Sequence, residues 1–136
     1  MKQAVIDTNV LVSAAINPSG PPGRIIAAIR RGELLPIISR AVFDEYVQVL
    51  TRPHFGFRRE VVNDILGTIE SIAPLLEPPP IDVTPLPDAS DAPFIALARY
   101  ANCPVITGNA KHFPASAGVV VLTPAGWVAS SIGQPL

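Results

Sequence analysis

Apolar positions along the chain recur with two periods, and the alternation between them divides the sequence into short strands and amphipathic helices. Gln3 to Ile6 is a short apolar run of strand length that ends at Asp7, and Thr8 to Ile16 continues as a helix with Asp7 or Thr8 as its cap. Ser19-Gly20-Pro21-Pro22 opens a second helix, with its prolines in the first turn, Ile25, Ile26 and Ile29 on one face and Gly32 as the stop. Leu34 to Ile38 reads as a second strand. Ser39 then caps a helix that carries Val42, Phe43, Tyr46, Val49 and Leu50 inward until Arg52-Pro53 ends it. From about Arg59 to Ile72 another helix places Val62, Ile65, Leu66 and Ile69 at helical spacing. Asp88-Ala89-Ser90-Asp91 opens a helix in which Phe94, Leu97, Ala98 and Ala101 repeat at i, i+3, i+4 and i+7. Pro104 to Thr107 is a strand closed by Gly108-Asn109, Gly118 to Leu122 supplies the last strand, and Pro124 starts a terminal helix with Trp127 in the core.

Six of the fourteen residues from Pro74 to Pro87 are proline, so this stretch is expected to be an extended connector with at most a short edge strand at Leu75 to Glu77. No internal repeat interrupts the alternation. Strands alternating with helices predict an α/β fold whose open, mostly parallel sheet is covered on both faces.

Composition narrows the class. With 136 residues, 49% of them hydrophobic, residues 1–136 are expected to form one domain that buries roughly two-thirds of its unfolded surface. A single Cys103 makes no internal disulfide, and neither a secretory signal nor an apolar run approaching ~20 residues is present. A soluble, cytoplasmic protein without membrane contact is the expectation. Net charge is −1, divided into +2 over residues 1–68 and −3 over residues 69–136, which excludes a strongly basic nucleic-acid coat. Phosphate contacts would have to come from local clusters such as Arg24, Arg30 and Arg31 or Arg52, Arg58 and Arg59, which are more often solvated faces.

The acids carry the candidate chemistry. Asp7 interrupts the apolar run V-I-D-T-N-V-L-V-S-A, and an ionised carboxylate buried there needs a cation, hydrogen-bond donors or a helix N-terminus. In open parallel sheets, ligands bind beyond the carboxyl ends of the strands, where strand order reverses. Asp7 follows the first strand and Asn109 the third, so the two share a cleft if those strands are neighbours. Asp88 and Asp91 begin the helix that feeds the third strand, and Glu45 joins them only if the first turns of its helix overhang the same edge. Three carboxylates ~4 Å apart would repel by about 4 kcal/mol per pair at an effective dielectric near 20, unless a cation held them. Oxygen donors without a Cys or His cluster suit Mg²⁺ or Mn²⁺ rather than Zn²⁺. Each acid also has a simpler reading: Asp7 as a helix cap, Asp88 and Asp91 as a capping pair, and Glu45, beside Asp44, as part of a solvated face.

Four segments together resemble the PIN-domain family: V-I-D-T-N-V-L-V-S-A, S-R-A-V-F-D-E-Y-V-Q-V-L followed by R-P-H-F, D-A-S-D-A-P-F-I-A-L-A, and V-I-T-G-N-A-K-H-F-P. They span nearly the whole chain in order, with Asn109 18 positions after Asp91. The similarity is greatest to bacterial VapC-like toxins of toxin–antitoxin pairs. It implies a three-layer α/β/α sandwich and a Mg²⁺- or Mn²⁺-dependent endoribonuclease. By the resemblance, Asp7, Glu45 and Asp91 are the first three acids of the site, Asp88 an additional acid one turn before Asp91, Thr107 a hydroxyl near the site, and Asn9 a brace for the first acid's loop. Where many relatives carry a fourth acid, this chain has Asn109, whose carbonyl would serve as a neutral ligand in a cradle with one fewer negative charge. Lys111 and His112, just beyond, read as facing the phosphate or as solvent-facing and loop-packing residues. The implied catalytic set is Asp7, Glu45, Asp91 and Asn109, and the implied metal set Asp7, Glu45, Asp88 and Asp91. In the implied mechanism a metal-activated water attacks the phosphodiester in line, expels the 3′ oxygen and leaves a 5′-phosphate. The implied partners are an RNA substrate, a cognate antitoxin and a second copy in a homodimer.

Other readings of the residues remain open at this stage. A dehalogenase-like phosphatase would want a second Asp where Asn9 stands, and a receiver domain would want further acids beside Asp7. A PIN-like module that has lost catalysis through Asn109 would instead hold RNA or a protein.

Overall fold

The computed structural model describes residues 2–83 and 86–132, with the side chains of residues 131 and 132 outside that set. The chain runs β1 (Lys2–Ile6), α1 (Thr8–Ile16), α2 (Pro21–Arg30), β2 (Leu34–Pro36), α3 (Arg40–Leu50), α4 (Arg59–Ile72), α5 (Ala92–Ala101), β3 (Val105–Ile106), β4 (Val121–Leu122) and α6 (Pro124–Ile132). Short 3₁₀ turns lie at Pro53–Phe55, Ala89–Asp91, Ala110–His112 and Ala115–Ala117. All strand pairs are parallel, in the order β2-β1-β3-β4, with Lys2 opposite Leu34, Val5 opposite Val105 and Val105 opposite Val121. From β1 the chain moves first to one side of the sheet and later, through α3, α4 and α5, to the other. The reversal opens a cleft between the carboxyl ends of β1 and β3.

Successive strand residues point to opposite faces, so a run of consecutive buried strand residues must be covered on both. Ala4, Val5 and Ile6 in β1 and Val105 and Ile106 in β3 are all fully buried, as the α/β/α arrangement requires. Tyr46, Leu50, Ile69, Phe94 and Leu97 fill the core around them, and Trp127 of α6 is buried as expected, with α6 packed on α2.

The end signals act locally as their chemistry suggests. Asp7, not Thr8, caps α1, its Oδ1 accepting from the Thr8 amide at 2.8 Å. Ser39 Oγ accepts from the Val42 amide at 3.2 Å and starts α3. At Gly23 the α1–α2 turn approaches so closely that a Cβ would lie 1.8 Å from the Pro18 carbonyl oxygen. The edge strand expected at Leu75 to Glu77 is a single parallel bridge between Ile38 and Leu75, closed by the Leu76 amide donating to the Ile38 carbonyl at 2.8 Å. Prolines follow at once and supply no further donors. Residues 84 and 85 of the expected connector lie outside the described set.

Four expected spans are shortened. β2 is Leu34–Pro36 rather than Leu34 to Ile38, and β3 is Val105–Ile106 rather than Pro104 to Thr107. The last strand is Val121–Leu122 rather than Gly118 to Leu122, because Gly118 has φ +72° and closes the turn after Ala115–Ala117, outside the extended region. The helix expected from Asp88 begins instead as a 3₁₀ turn at Ala89–Asp91 and becomes α-helical at Ala92. Among the described residues no helix is long and apolar enough to cross a membrane.

Candidate functional site

The site is built at the switch point, starting from Asp7. Its amide donates to the Ile106 carbonyl at 2.9 Å, which locks the end of β1 to β3. Its buried carboxylate then meets neutral donors only. Oδ1 accepts from the Thr8 amide, and Oδ2 accepts from the Thr107 hydroxyl at 2.7 Å and the Asn9 side-chain amide at 3.2 Å. Asn9 also reaches across the cleft, its Oδ1 accepting from the Gly108 amide at 3.0 Å. Thr107 Oγ in turn accepts from the Asn109 amide at 3.0 Å. Burial raises the Asp7 pKa, and the bonds from Thr107 and Thr8 recover only part of that cost.

Glu45 lies in the second turn of α3 and reaches the site through Thr8, whose hydroxyl donates to its Oε2. The rotation of α3 that permits this is fixed one residue later, where the fully buried Tyr46 donates its hydroxyl to the Ile6 carbonyl, immediately before Asp7. The Glu45 pKa is raised, first by burial and then by the charges of Asp7 and Asp88, against hydrogen bonding from Thr8 and the pull of Arg52.

Asp91 and Asp88 divide the roles that the sequence left open. Asp88 is exposed and does cap: its Oδ1 accepts from the Ser90 amide at 2.9 Å and the Ser90 hydroxyl at 2.7 Å, which holds its pKa low. Asp91 caps nothing. It is buried, its Oδ2 has no hydrogen-bond donor, and burial followed by the charge of Asp7 pushes its pKa to about 6. Asp7, Glu45 and the Asp88–Asp91 turn thus bring four acids from three places in the chain close enough for their charges to perturb one another.

Asn109 stands at the rim, where its side-chain amide is 3.0 Å from His112 Nε2. His112, a residue that sequence reasoning left outside the catalytic set, turns its other ring nitrogen toward Asp91, with Nδ1 3.3 Å from Oδ2. The 3₁₀ turn Ala110–His112 brings it back to the strand end. Lys111 is exposed. Of the arginines considered for phosphate contacts, Arg30 pairs with Asp64 and Arg31 with Glu33 on the surface, whereas Arg52 is close enough to act on Glu45.

This donor set fits a divalent cation. Like charges converge, hydrogen-bond donors orient them without neutralising them, and a buried carboxylate oxygen is left with no donor. Asp88, Asp91 and His112 each offer a ligand atom, all within 4.8 Å of one another.

The PIN domain family matches residues 3–111. The chain belongs to the PIN domain family. An uncharacterized protein of Methanocaldococcus jannaschii, MJ1680, is 29% identical over 111 residues, covering 79% of this chain and 70% of its own length. The matched family span holds Asp7, Glu45, Asp88, Asp91 and Asn109 and stops one residue short of His112. PIN domains are typically divalent-metal-dependent nucleases, which supports a hydrolase, and Asp88, Asp91 and His112 form a group that could hold a metal ion.

Proposed function

We propose that this PIN domain protein is a Mg²⁺- or Mn²⁺-dependent endoribonuclease, the toxin of a toxin–antitoxin pair. The observation that carries the nuclease reading is the convergence of Asp7, Glu45 and Asp91 on one cleft in which Asp91 keeps a buried oxygen without a donor. Asp7, Glu45 and Asp91 would hold the cation, with Asp88 at the rim. A divalent cation bound there supplies an activated water and stabilises charge developing on the phosphate. The chain's own residues do the positioning. Thr107 and Asn9 fix the Asp7 carboxylate, Thr8 fixes Glu45, and Arg52 adds positive charge on the Glu45 side of the cleft. A strand-end site reached by splayed bases suits single-stranded or looped RNA better than a duplex.

The toxin role, a cognate antitoxin and a homodimer rest on the motif resemblance and belong to this proposal. Cleavage of labelled RNA in Mn²⁺ tests the enzyme reading: wild type should leave 5′-phosphate ends, and Asp7→Asn should cut at least about 100-fold more slowly. Equal cleavage by both, or none by the wild type, rejects it in favour of an RNA- or protein-binding module. Growth arrest on induced expression, relieved by co-expressing the product of a neighbouring short gene, tests the toxin role.

A further inference from the structure

Asp91 Oδ2 and His112 Nδ1 stand 3.3 Å apart, yet Oδ2 has no hydrogen bond and the Asp91 side chain is only 9% exposed. Two donors bound side by side to one small cation, each at about 2.1–2.2 Å, stand about 3 Å from each other. The spacing is that of a histidine–carboxylate ion pair and, with a neutral imidazole, also that of two ligands of a shared ion. Asp88 brings a third ligand atom within 4.8 Å of both. On the far side of the ring, Nε2 meets the Asn109 side-chain amide at 3.0 Å. A histidine that gives Nδ1 to a metal carries its proton on Nε2 and needs an acceptor there. The Asn109 carbonyl supplies one when the amide is turned over, since its two ends have nearly the same shape.

We propose that His112 is a ligand of the cation site, sharing the ion with Asp91 and Asp88, and that Asn109 is the positioning residue that orients the imidazole. The proposal rests on the reading that the cleft binds a divalent cation. It gives Asn109 a different role from that of a weakened fourth acid: the charge lost at position 109 is replaced by a nitrogen donor three residues later. A mixed nitrogen and oxygen set favours Mn²⁺ over Mg²⁺, because imidazole suits transition metals and Mg²⁺ prefers oxygen.

The chain has two histidines, and His54 lies exposed in the Pro53–Phe55 turn, so a nitrogen signal can be assigned. Pulsed electron paramagnetic resonance on Mn²⁺-loaded protein labelled with ¹⁵N-histidine should detect a directly bound nitrogen in the wild type and none in His112→Gln. Titration calorimetry should find Mn²⁺ binding weakened about tenfold or more in His112→Gln and Mg²⁺ binding weakened much less, with Asn109→Ala losing part of the Mn²⁺ affinity. The His112 side chain is 39% exposed, so the variant should fold, and the nitrogen signal in the wild type needs no variant at all. Absence of that signal in Mn²⁺-loaded wild type, its survival in His112→Gln, or unchanged Mn²⁺ affinity overturns the proposal and leaves the carboxylate site standing. Failure of the wild type to bind either metal removes the cation site itself, and the nuclease reading with it.

Discussion

Asp91→Asn should inactivate the nuclease and, without divalent metal, make the protein more stable. The Asp91 carboxyl is pushed from 3.8 to about 6 by burial and by the neighbouring Asp7 charge, so the fold disfavours its ionised form. For an acid whose folded pKa is raised, the cost is absent below the unfolded value, grows as pH rises from about 4 to 6 and is constant above. At 1.36 kcal/mol per pH unit the full displacement corresponds to about 3 kcal/mol. Water reaching the cleft beside exposed Asp88 screens part of this, leaving about 1–2 kcal/mol at pH 7.5. Asparagine has the same shape and no charge to desolvate. For a chain of this length that is a rise in Tm of about 4–7 °C. The assay is thermal unfolding in chelator at pH 4, 6 and 7.5, repeated with excess Mn²⁺. The Asn variant should melt higher at pH 7.5, converge with wild type toward pH 4, and gain less from Mn²⁺, which stabilises wild type by mass action. A variant that melts at or below wild type at pH 7.5 in chelator would refute the claim that the fold disfavours the ionised Asp91 carboxylate.

Two further outcomes follow from close contacts elsewhere. Thr107→Val removes the hydroxyl that donates to Asp7 and accepts from the Asn109 amide, so it should cost about 1–3 kcal/mol in urea unfolding and slow RNA cleavage about 10–100-fold; full activity would mean that Asn9 and the Thr8 amide suffice to hold Asp7. Gly23→Ala puts a methyl group 1.8 Å from the Pro18 carbonyl and should cost about 2 kcal/mol or more, whereas Gly67→Ala, in the middle of α4 with nothing within 4 Å, should gain about 0.5–1 kcal/mol. Equal midpoints for these two variants in urea would contradict the packing at the α1–α2 turn.

The sequence could be read wherever one local signal decided the structure. Asp7 after an apolar run, Ser39 before a helical period and Pro21-Pro22 in a first turn each fix an element end through their own hydrogen bonds or lack of them. The strand ends β1 and β3 could be joined on paper only by assuming that they are neighbours, which the pairing of Val5 with Val105 now establishes. Glu45 was harder, because nothing in its spacing distinguishes a solvated face from a site. Its orientation is set by Tyr46, whose buried hydroxyl reaches the Ile6 carbonyl and turns α3 so that the preceding side chain meets Thr8. His112 lies in a three-residue turn, too short for any period to show which way a side chain points.

The choice of supporting residues has a chemical logic that extends beyond any one contact. Thr8, Asn9 and Thr107 hold two of the acids through hydroxyl, amide and backbone donors, none of which carries a formal charge. A lysine or arginine in their place would satisfy the carboxylates and lower their pKa values, but it would also occupy the electrostatic position that a metal must take. Neutral donors fix direction without cancelling the charge: burial raises the pKa of Asp7, and burial first and the neighbouring carboxylates second raise those of Glu45 and Asp91. On the proposed reading, the instability of the metal-free cleft and an affinity for a divalent cation are two consequences of one arrangement, and a substitution that relieves the first should weaken the second.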